Sequence, residues 1–253
     1  MDATRSASKR LFGSTLVLLA VALVPSEGEA ARGDCPPEMG KVDLGADAKV
    51  SAVCVDKWEA SLVDAKTGAH VSPYESPKDR KVKAVSKPGV VPQAYISKIE
   101  AEGACKAARK RLCKESEWVK ACQGKRPTTY PYGDELKEGY CNDSGKSPLS
   151  VYYKDSDAAY ASNSAMNDPR LNQVPGTVSK TGRHKKCKNG YGLYDMVGNV
   201  HEWVDDPAGT FRGGYYLDTH QNGDGCKYRT DAHDVTYHDY STGFRCCKDL
   251  RVP

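Results

Sequence analysis

The clearest helical pattern in the chain lies just before residue 110. Ser97 with Glu100 three residues later matches a capping box, which predicts that a helix begins there. The apolar side chains that recur behind this cap at the three- and four-residue spacing of one helix face are Ala101, Ala104, Cys105 and Ala108. The pattern predicts a short amphipathic helix that carries a cysteine on its buried side.

A second helical pattern covers about Glu115 to Gln123. Its apolar positions put Trp118, Ala121 and Cys122 on one inner face. Gly124 follows, and glycine is the residue typical of the position after a helix end. We therefore expect two neighbouring helices, each with a cysteine on its buried side.

The rest of the chain shows short and irregular patterns. Residues 54–59 predict an early strand that enters a turn, and short aromatic and glycine-rich strands are expected from Gly192 to Cys247. Residues 127–190 are polar and rich in turn residues. A stretch of that length without periodicity needs constraints other than a core, and disulfides or metal ions are the expected ones.

The first thirty residues have the pattern of a secretory signal peptide. Three basic residues precede an apolar run from Leu11 to Val24, and small residues lead up to Ala30. We expect cleavage after Ala30, which leaves residues 31–253 as one domain. The apolar run is shorter than the roughly 20 residues of a membrane-spanning helix. No other stretch approaches that length, so no membrane span is expected after cleavage.

The charge balance does not indicate a nucleic-acid partner. The chain has 37 basic and 33 acidic side chains, which gives a formal net charge of +4. Basic residues gather in two short segments, 78–83 and 183–188, and such segments are usually solvated surface. We expect no nucleic-acid binding.

All ten cysteines follow the predicted signal peptide. An even number in an exported chain predicts a disulfide framework, and hence an oxidising location, periplasmic or secreted. There is no C-x-x-C pair, so neither a zinc knuckle nor a thioredoxin-type redox site is predicted. The ten positions are Cys35, Cys54, Cys105, Cys113, Cys122, Cys141, Cys187, Cys226, Cys246 and Cys247.

Residues 192–203, with the sequence G-L-Y-D-M-V-G-N-V-H-E-W, have too much glycine and aromatic content for a helix. Asn199 and Glu202 supply oxygens, and the glycine before them permits a backbone bend. With the carbonyl of Val197 they predict a structural calcium site, because Ca²⁺ prefers oxygen ligands in loops. The alternative is a hydrogen-bonded loop corner. Asn142 is the candidate for a second calcium site.

Six segments in a fixed order resemble the formylglycine-generating enzyme (sulfatase-modifying factor) family. Within the segment G-L-Y-D-M-V-G-N-V-H-E-W, His201 stands where the family usually has tryptophan. The other segments are similar to I-D-x-Y-E-V-T, K-R-L-P-T-E-A-E-W-E, F-P-W-G, R-G-G-S and G-F-R-C. In order, the six are Cys54–Glu59, Lys110–Trp118, Tyr130–Gly133, Gly192–Trp203, Arg212–Gly214 and Gly243–Cys246.

This resemblance implies a variant C-type-lectin-like α+β fold with few regular elements, disulfides and bound calcium. The family's enzyme converts a substrate cysteine to formylglycine with O₂ and a copper ion. Two cysteines hold that copper, five residues apart, after the R-G-G segment. Here the first position falls near Asp218 and the second near Gln221 or Gly223. A carboxylate and an amide do not replace thiolates for copper(I), so we expect the copper site to be lost.

The resemblance also implies two disulfides, Cys105–Cys246 and Cys122–Cys226. In the alternative, Cys226 is a copper-binding thiol with a second ligand that the sequence does not identify. The catalytic candidates are therefore Cys226, Asp218 and His220. For the remaining cysteines we expect local pairs, although sequence alone does not fix connectivity. These pairs are Cys35–Cys54, Cys113–Cys141 and Cys187–Cys247.

By the same resemblance, a group of polar and aromatic residues falls near the family's substrate cleft. A cleft of this composition suits a peptide, protein or glycan ligand; the alternative is an ordinary surface of packed tyrosines. The cleft candidates are Arg212, Tyr215, Tyr216, Asp218, His220, Tyr228, Arg229 and His233. Four histidines leave open a catalytic metal site as an alternative, but hydrogen bonding at the surface or in the cleft is the favoured interpretation for them. They are His201, His220, His233 and His238.

Two functions remain open on the sequence. The favoured one is an exported, non-catalytic binding or scaffold module with structural calcium. The alternative is a metal-dependent oxidoreductase related to the formylglycine-generating enzyme, which oxidises a protein cysteine or another substrate with O₂.

Overall fold

The computed structural model describes Met1, residues 33–45 and residues 50–250. The predicted signal peptide and its cleavage point lie outside the described residues, apart from Met1. The strands are β1 (Met39–Asp43), β2 (Ala52–Asp56), β3 (Ala60–Asp64), β4 (Val82–Ser86), β5 (Arg111–Leu112), β6 (His201–Trp203), β7 (Phe211–Arg212), β8 (Arg229–Thr230), β9 (Thr242–Phe244) and β10 (Cys246–Asp249). The α-helices are α1 (Lys98–Ala107), α2 (Glu115–Gln123), α3 (Leu149–Tyr152), α4 (Ser156–Tyr160) and α5 (Asn163–Met166).

Three small sheets carry the fold. One has the strand order β1-β2-β10-β5 and is antiparallel throughout, and β3 and β4 form an antiparallel pair. The third has the order β8-β7-β6-β9, in which β6 pairs in parallel with β9. Strand β10 lies inside the first sheet although it is the last element of the chain.

Both predicted helices are present. Helix α1 begins at the expected capping box, in which the Ser97 hydroxyl accepts from the Glu100 N–H and the Glu100 carboxylate accepts from the Ser97 N–H. Helix α2 has the predicted bounds, with Trp118 and Cys122 buried. Gly124 follows with a φ of +80°, as the glycine signal indicated.

The stretch 127–190 contains three α-helices and one 3₁₀ helix, Leu171–Gln173, that the sequence pattern did not predict. Helices α3 to α5 have four or five residues each, which is too short for a periodic apolar signal. Side chains cap two of them, because Asp155 accepts from the Ala158 N–H and Ser162 from the Ala165 N–H. A disulfide from Cys141 to Cys187 closes the region.

Five disulfides pair all ten cysteines, each of which lies among the described residues. The pairs Cys35–Cys54, Cys105–Cys246 and Cys122–Cys226 are confirmed. The expected pairs Cys113–Cys141 and Cys187–Cys247 are wrong. The structure contains Cys113–Cys247 and Cys141–Cys187 instead.

Strand pairing explains this correction. Cys113 directly follows β5, and β5 pairs with β10 in a register that sets Arg111 opposite Cys247. The Cα atoms of Cys113 and Cys247 are therefore 4.8 Å apart despite a separation of 134 residues. Because successive strand residues point to opposite faces, neighbouring Cys246 bonds on the other side, to α1.

The core consists of three packed groups of buried side chains. One surrounds Trp118 of α2, the second surrounds Trp203 and Phe244 of the β6–β9 pair, and the third includes Tyr216 and Tyr240. In the part of the chain that the structure describes, no helix has both the length and the apolar character to cross a membrane.

Candidate functional site

The segment 192–203 forms a tight corner against Asn142. Gly198 has a φ of +79°, and a β-carbon at this position would lie 2.3 Å from the Asn142 carbonyl oxygen. Only glycine fits there, since the left-handed backbone and the close approach both exclude a side chain. The Asn199 N–H then donates to the same carbonyl at 2.8 Å.

The Asn199 side chain is saturated by protein groups. Its Oδ1 accepts from Asn142 Nδ2 at 2.9 Å and from the Ser179 N–H at 2.7 Å. Its Nδ2 donates to Glu59 Oε2 at 2.6 Å and to the Ser179 carbonyl at 3.2 Å. This arrangement is the hydrogen-bonded loop corner that the sequence left open as an alternative.

Both oxygens of the Glu202 carboxylate also accept hydrogen bonds from protein groups. Oε2 accepts from Trp118 Nε1 and Arg245 Nε, both at 2.6 Å, and Oε1 accepts from Arg245 Nη2 at 2.6 Å. The Arg245 guanidinium also donates to the carbonyls of Asp56 and Tyr194. Both charged side chains are buried, so strand β6 is held to α2 and to the end of β9 by this network.

The donor set at this corner does not fit a calcium ion. The side-chain oxygens of Asn199 and Glu202 already accept hydrogen bonds from N–H groups, and Asn142 turns its amide nitrogen toward Asn199. The guanidinium of Arg245, which is itself a cation, also lies beside the Glu202 carboxylate. No group of three or more His, Cys, Asp or Glu among the described residues is arranged to hold a metal ion.

Two further buried carboxyl groups lie near Arg245. Burial raises the pKa of Glu59 well above its usual value, and the nearby charges of Asp195 and Glu202 raise it further. Burial likewise raises the pKa of Asp195 to about 7. One guanidinium therefore faces these three buried carboxyl groups, and their mutual repulsion adds to the effect of burial on the pKa values of Glu59 and Asp195. No sequence pattern indicates this cluster, because Glu59 and Arg245 are far along the chain from Asp195 and Glu202.

An aromatic cluster surrounds His201. The imidazole centroid lies 4.6 Å from that of Phe211, 4.8 Å from Tyr215 and 5.5 Å from Tyr228. Its Nδ1 is buried, and no described residue forms a hydrogen bond with it. Burial lowers the pKa of His201 to about 3, so the ring is neutral at physiological pH. The cluster continues to the half-buried His233, whose ring lies 4.6 Å from Phe211.

The predicted cleft residues divide between this cluster and the core. Tyr215, Tyr228 and His233 gather around His201 and Phe211. Tyr216 instead lies in the core, where its hydroxyl donates to Asn172 Oδ1 at 3.1 Å. Tyr215 is partly exposed and Tyr216 is buried, although their rings stay in edge contact with centroids 5.4 Å apart.

The two cleft arginines meet at a single carboxylate. Arg212 Nη2 lies 2.5 Å and Arg229 Nε 2.8 Å from Oε1 of Glu115, at the start of α2. Arg212 is buried and also donates to the carbonyls of Lys227 and Tyr228. Arg229 is partly exposed and also pairs with Asp206 and Asp231.

The candidate histidines do not converge. His220 Nδ1 lies 2.9 Å from Asp224, whereas His238 Nδ1 lies 2.7 Å from the Asn167 Oδ1 atom. His233 is hydrogen-bonded to the Asp231 carbonyl. These three imidazoles have different hydrogen-bond partners, and the described residues do not assemble the histidine metal site that the sequence left open.

Comparison with known families decides which domain this is. A family model described as "Sulfatase-modifying factor enzyme 1-like domain" matches residues 42–250. The chain belongs to this family. The match covers most of the chain, so the family that the six motifs indicated is confirmed.

Individual relatives are more distant. The formylglycine-generating enzyme of Mus musculus is 32% identical over 120 residues, which are 46% of this chain and 27% of that protein. The match thus spans about a quarter of the mouse enzyme. Among solved structures, "Treponema denticola variable protein 1" aligns with a TM-score of 0.52 and 15% identity, over 83% of this chain and 94% of its own. "Structure of PvdO from Pseudomonas aeruginosa" aligns at 0.48 with 13% identity, over 84% and 91%.

The family match, with the observed sheets and disulfides, confirms the predicted variant C-type-lectin-like α+β fold with few regular elements. The structure also shows what this sulfatase-modifying-factor domain has near the positions where the resemblance placed the copper ligands. Cys226 is bonded to Cys122, and Asp218 holds a turn by accepting from the N–H groups of His220 and Gln221. The Tyr228 hydroxyl donates to the second Asp218 oxygen at 2.9 Å. No free thiol exists among the ten cysteines, so the residues here do not fit copper(I).

Proposed function

We propose that this sulfatase-modifying-factor domain is an exported, non-catalytic binding or scaffold module, periplasmic or secreted. The observation that supports the proposal is the Cys122–Cys226 disulfide. It consumes the one cysteine that follows the R-G-G segment before G-F-R-C, so no thiol remains to hold copper. The five disulfides are consistent with an oxidising location.

The binding surface in this proposal is the face around His201. Tyr215 and His233 present partly exposed rings, whereas the partly exposed guanidinium of Arg229 is already paired with Glu115, Asp206 and Asp231. Rings with polar edges suit a peptide, protein or glycan that offers apolar surface together with hydrogen-bonding groups. The proposal includes no calcium, because protein donors occupy the oxygens of Asn199 and Glu202.

A copper titration of the oxidised protein tests the proposal. We expect no copper(I) bound at a 1:1 ratio, and no oxygen consumption with a Cys-x-Pro-x-Arg peptide. Non-reducing peptide mapping of the same sample should recover Cys122 and Cys226 in one cross-linked fragment. Stoichiometric copper, or formylglycine in the peptide, would contradict the proposal and support an oxidoreductase.

A further inference from the structure

The loop of residues 180–188 concentrates positive charge on the surface. All five of its basic side chains are exposed, and no acidic residue occurs from 180 to 190. None of the five forms a salt bridge with another described residue. The five are Lys180, Arg183, Lys185, Lys186 and Lys188. This local excess contrasts with the weak overall charge of +4.

The fold brings further cations to this loop. The Thr181 hydroxyl donates to the Lys87 carbonyl at 2.7 Å, which sets exposed Lys87 beside the loop. At the other end of the loop, the exposed Lys125 side chain packs against Gly190. The positive surface is thus assembled from three separate parts of the chain.

The loop is firmly held. The Thr181 N–H donates to the Val90 carbonyl, and its own carbonyl accepts from the Gly89 N–H, both at 2.8 Å. Cys187 is tied to Cys141 by a disulfide, and its carbonyl accepts from the Asp195 N–H. A surface fixed in this way loses little backbone entropy when it binds a ligand.

Aromatic rings lie among these cations. Trp58 stacks on Tyr194 with centroids 5.9 Å apart and planes within 13°, and both rings are partly exposed. The Lys188 ammonium lies 5.0 Å from the Tyr194 ring centroid, and the Lys186 ammonium 4.6 Å from that of Tyr140. Gly182 packs against the Trp58 indole, so the basic loop directly adjoins the stacked rings.

We propose that this surface, which we call the basic-aromatic face, binds an acidic polysaccharide. It consists of the loop 180–188 with Trp58 and Tyr194. Ammonium groups pair with carboxylate or sulfate substituents, and the partly exposed Trp58 indole, which Tyr194 supports from one side, stacks on the C–H face of a sugar ring. Four of the five cations in the loop are lysines, whose ammonium groups act as point charges and pair with dispersed anionic substituents without a fixed geometry. The face is separate from the His201 cluster, so this inference does not depend on the proposed function.

Direct binding to three polymers tests the inference in the full oxidised chain. Dextran sulfate and alginate, as the sulfate and carboxylate forms, should bind with an affinity that falls as salt rises, and neutral dextran should not bind. Two variants lose four positive charges each. The loop variant is R183Q/K185Q/K186Q/K188Q, and the control variant is K78Q/R80Q/K81Q/K83Q in the other basic segment.

The loop variant should lose at least about tenfold in affinity for the acidic polymer, because several exposed ion pairs are removed together. The control variant should lose no more than about twofold, since its charges lie elsewhere and Arg80 is paired with Glu75. Equal losses in the two variants would show binding by net charge alone and would overturn the inference.

The aromatic part has its own test. Trp58→Ala should weaken binding of the acidic polysaccharide by roughly three- to tenfold, because the stacking surface is lost. Its affinity for inorganic polyphosphate, which has no sugar ring, should stay unchanged. Tyr194→Leu serves as a second variant if Trp58→Ala does not fold. Equal weakening for both polymers, or tighter binding of duplex DNA than of either polysaccharide, would overturn the assignment.

Discussion

Arg245 and Glu202 form an ion pair in the interior, with the side-chain exposure of neither above 1%. The carboxylate accepts two hydrogen bonds of 2.6 Å from the guanidinium and a third from Trp118. The pair joins strand β6 to the residue between β9 and β10. It therefore links the third sheet to the first.

Replacing Arg245 by methionine should destabilise the domain by about 3–5 kcal/mol, because Glu202 keeps a buried charge without its partner. Urea unfolding followed by tryptophan fluorescence measures the change. Arg80→Met is the matched control, since the Arg80–Glu75 pair is exposed and contributes no more than about 1 kcal/mol. Equal effects of the two substitutions would show that the buried pair adds no stability.

Asp195 should make the domain less stable as the pH rises. Its pKa is raised by burial to about 7, from 3.8 for an ordinary aspartate. The folded state therefore holds a proton that the unfolded chain releases, and stability falls between about pH 4 and pH 7. The slope from this group is at most about 1.4 kcal/mol per pH unit.

Asp195→Asn tests this dependence. An asparagine oxygen can still accept from the Gly182 N–H, and asparagine tolerates the backbone φ of +54°. The free energy of unfolding should therefore rise at pH 8 and vary less between pH 4 and 7. Part of the slope should remain, because the pKa of Glu59 is raised as well. An unchanged pH profile would show that Asp195 is ionised in the folded state.

His201→Phe should stabilise the domain by roughly 1 kcal/mol at pH 7. The substitution removes a buried nitrogen that forms no hydrogen bond with any described residue. A phenyl ring matches the aromatic cluster of Phe211, Tyr215 and Tyr228. The pKa of His201 is lowered to about 3, so the wild type should also lose stability as the pH falls from 6.5 toward 3. Denaturation at pH 5 and 7 measures both effects, and a less stable variant would indicate a bonded Nδ1.

Removing the Cys122–Cys226 disulfide should cost more than removing Cys35–Cys54. The first closes a sequence separation of 104 residues and the second one of 19. The chain-entropy relation gives roughly 5 and 3 kcal/mol for these loops. Double alanine variants compared by thermal unfolding without reductant measure the difference, and the reverse order would show that native packing outweighs loop entropy.

The sequence predicted those features that depend on local spacing or on family motifs. The capping box at Ser97 and the apolar face of α1 are confirmed, and so is the Cys105–Cys246 disulfide. The sequence did not predict the disulfide partner of Cys113, because that pairing depends on the two-residue strand β5 and its register with β10. Helices α3 to α5 were missed because single helical turns show no period.

The site was predicted less completely. Asn199 and Glu202 were identified as central residues of the segment, and the structure places both at a buried corner. Their hydrogen-bond partners Glu59 and Arg245 were not foreseen, because charged residues are normally expected at the surface. To assign a tyrosine to the cleft or to the core, the direction of its side chain must be known. The sequence alone does not show that Tyr215 is partly exposed and Tyr216 is buried.

The position of β10 constrains how this protein reaches its native state. Its residues 246–249 fill the interior of the first sheet, and Cys246 and Cys247 close disulfides to residues more than 130 positions earlier. Because synthesis runs from the amino end, this strand is made after every other described element. The native disulfides of Cys105 and Cys113 can therefore form only after residues 246 and 247 have been made, and the first sheet cannot be completed before that point.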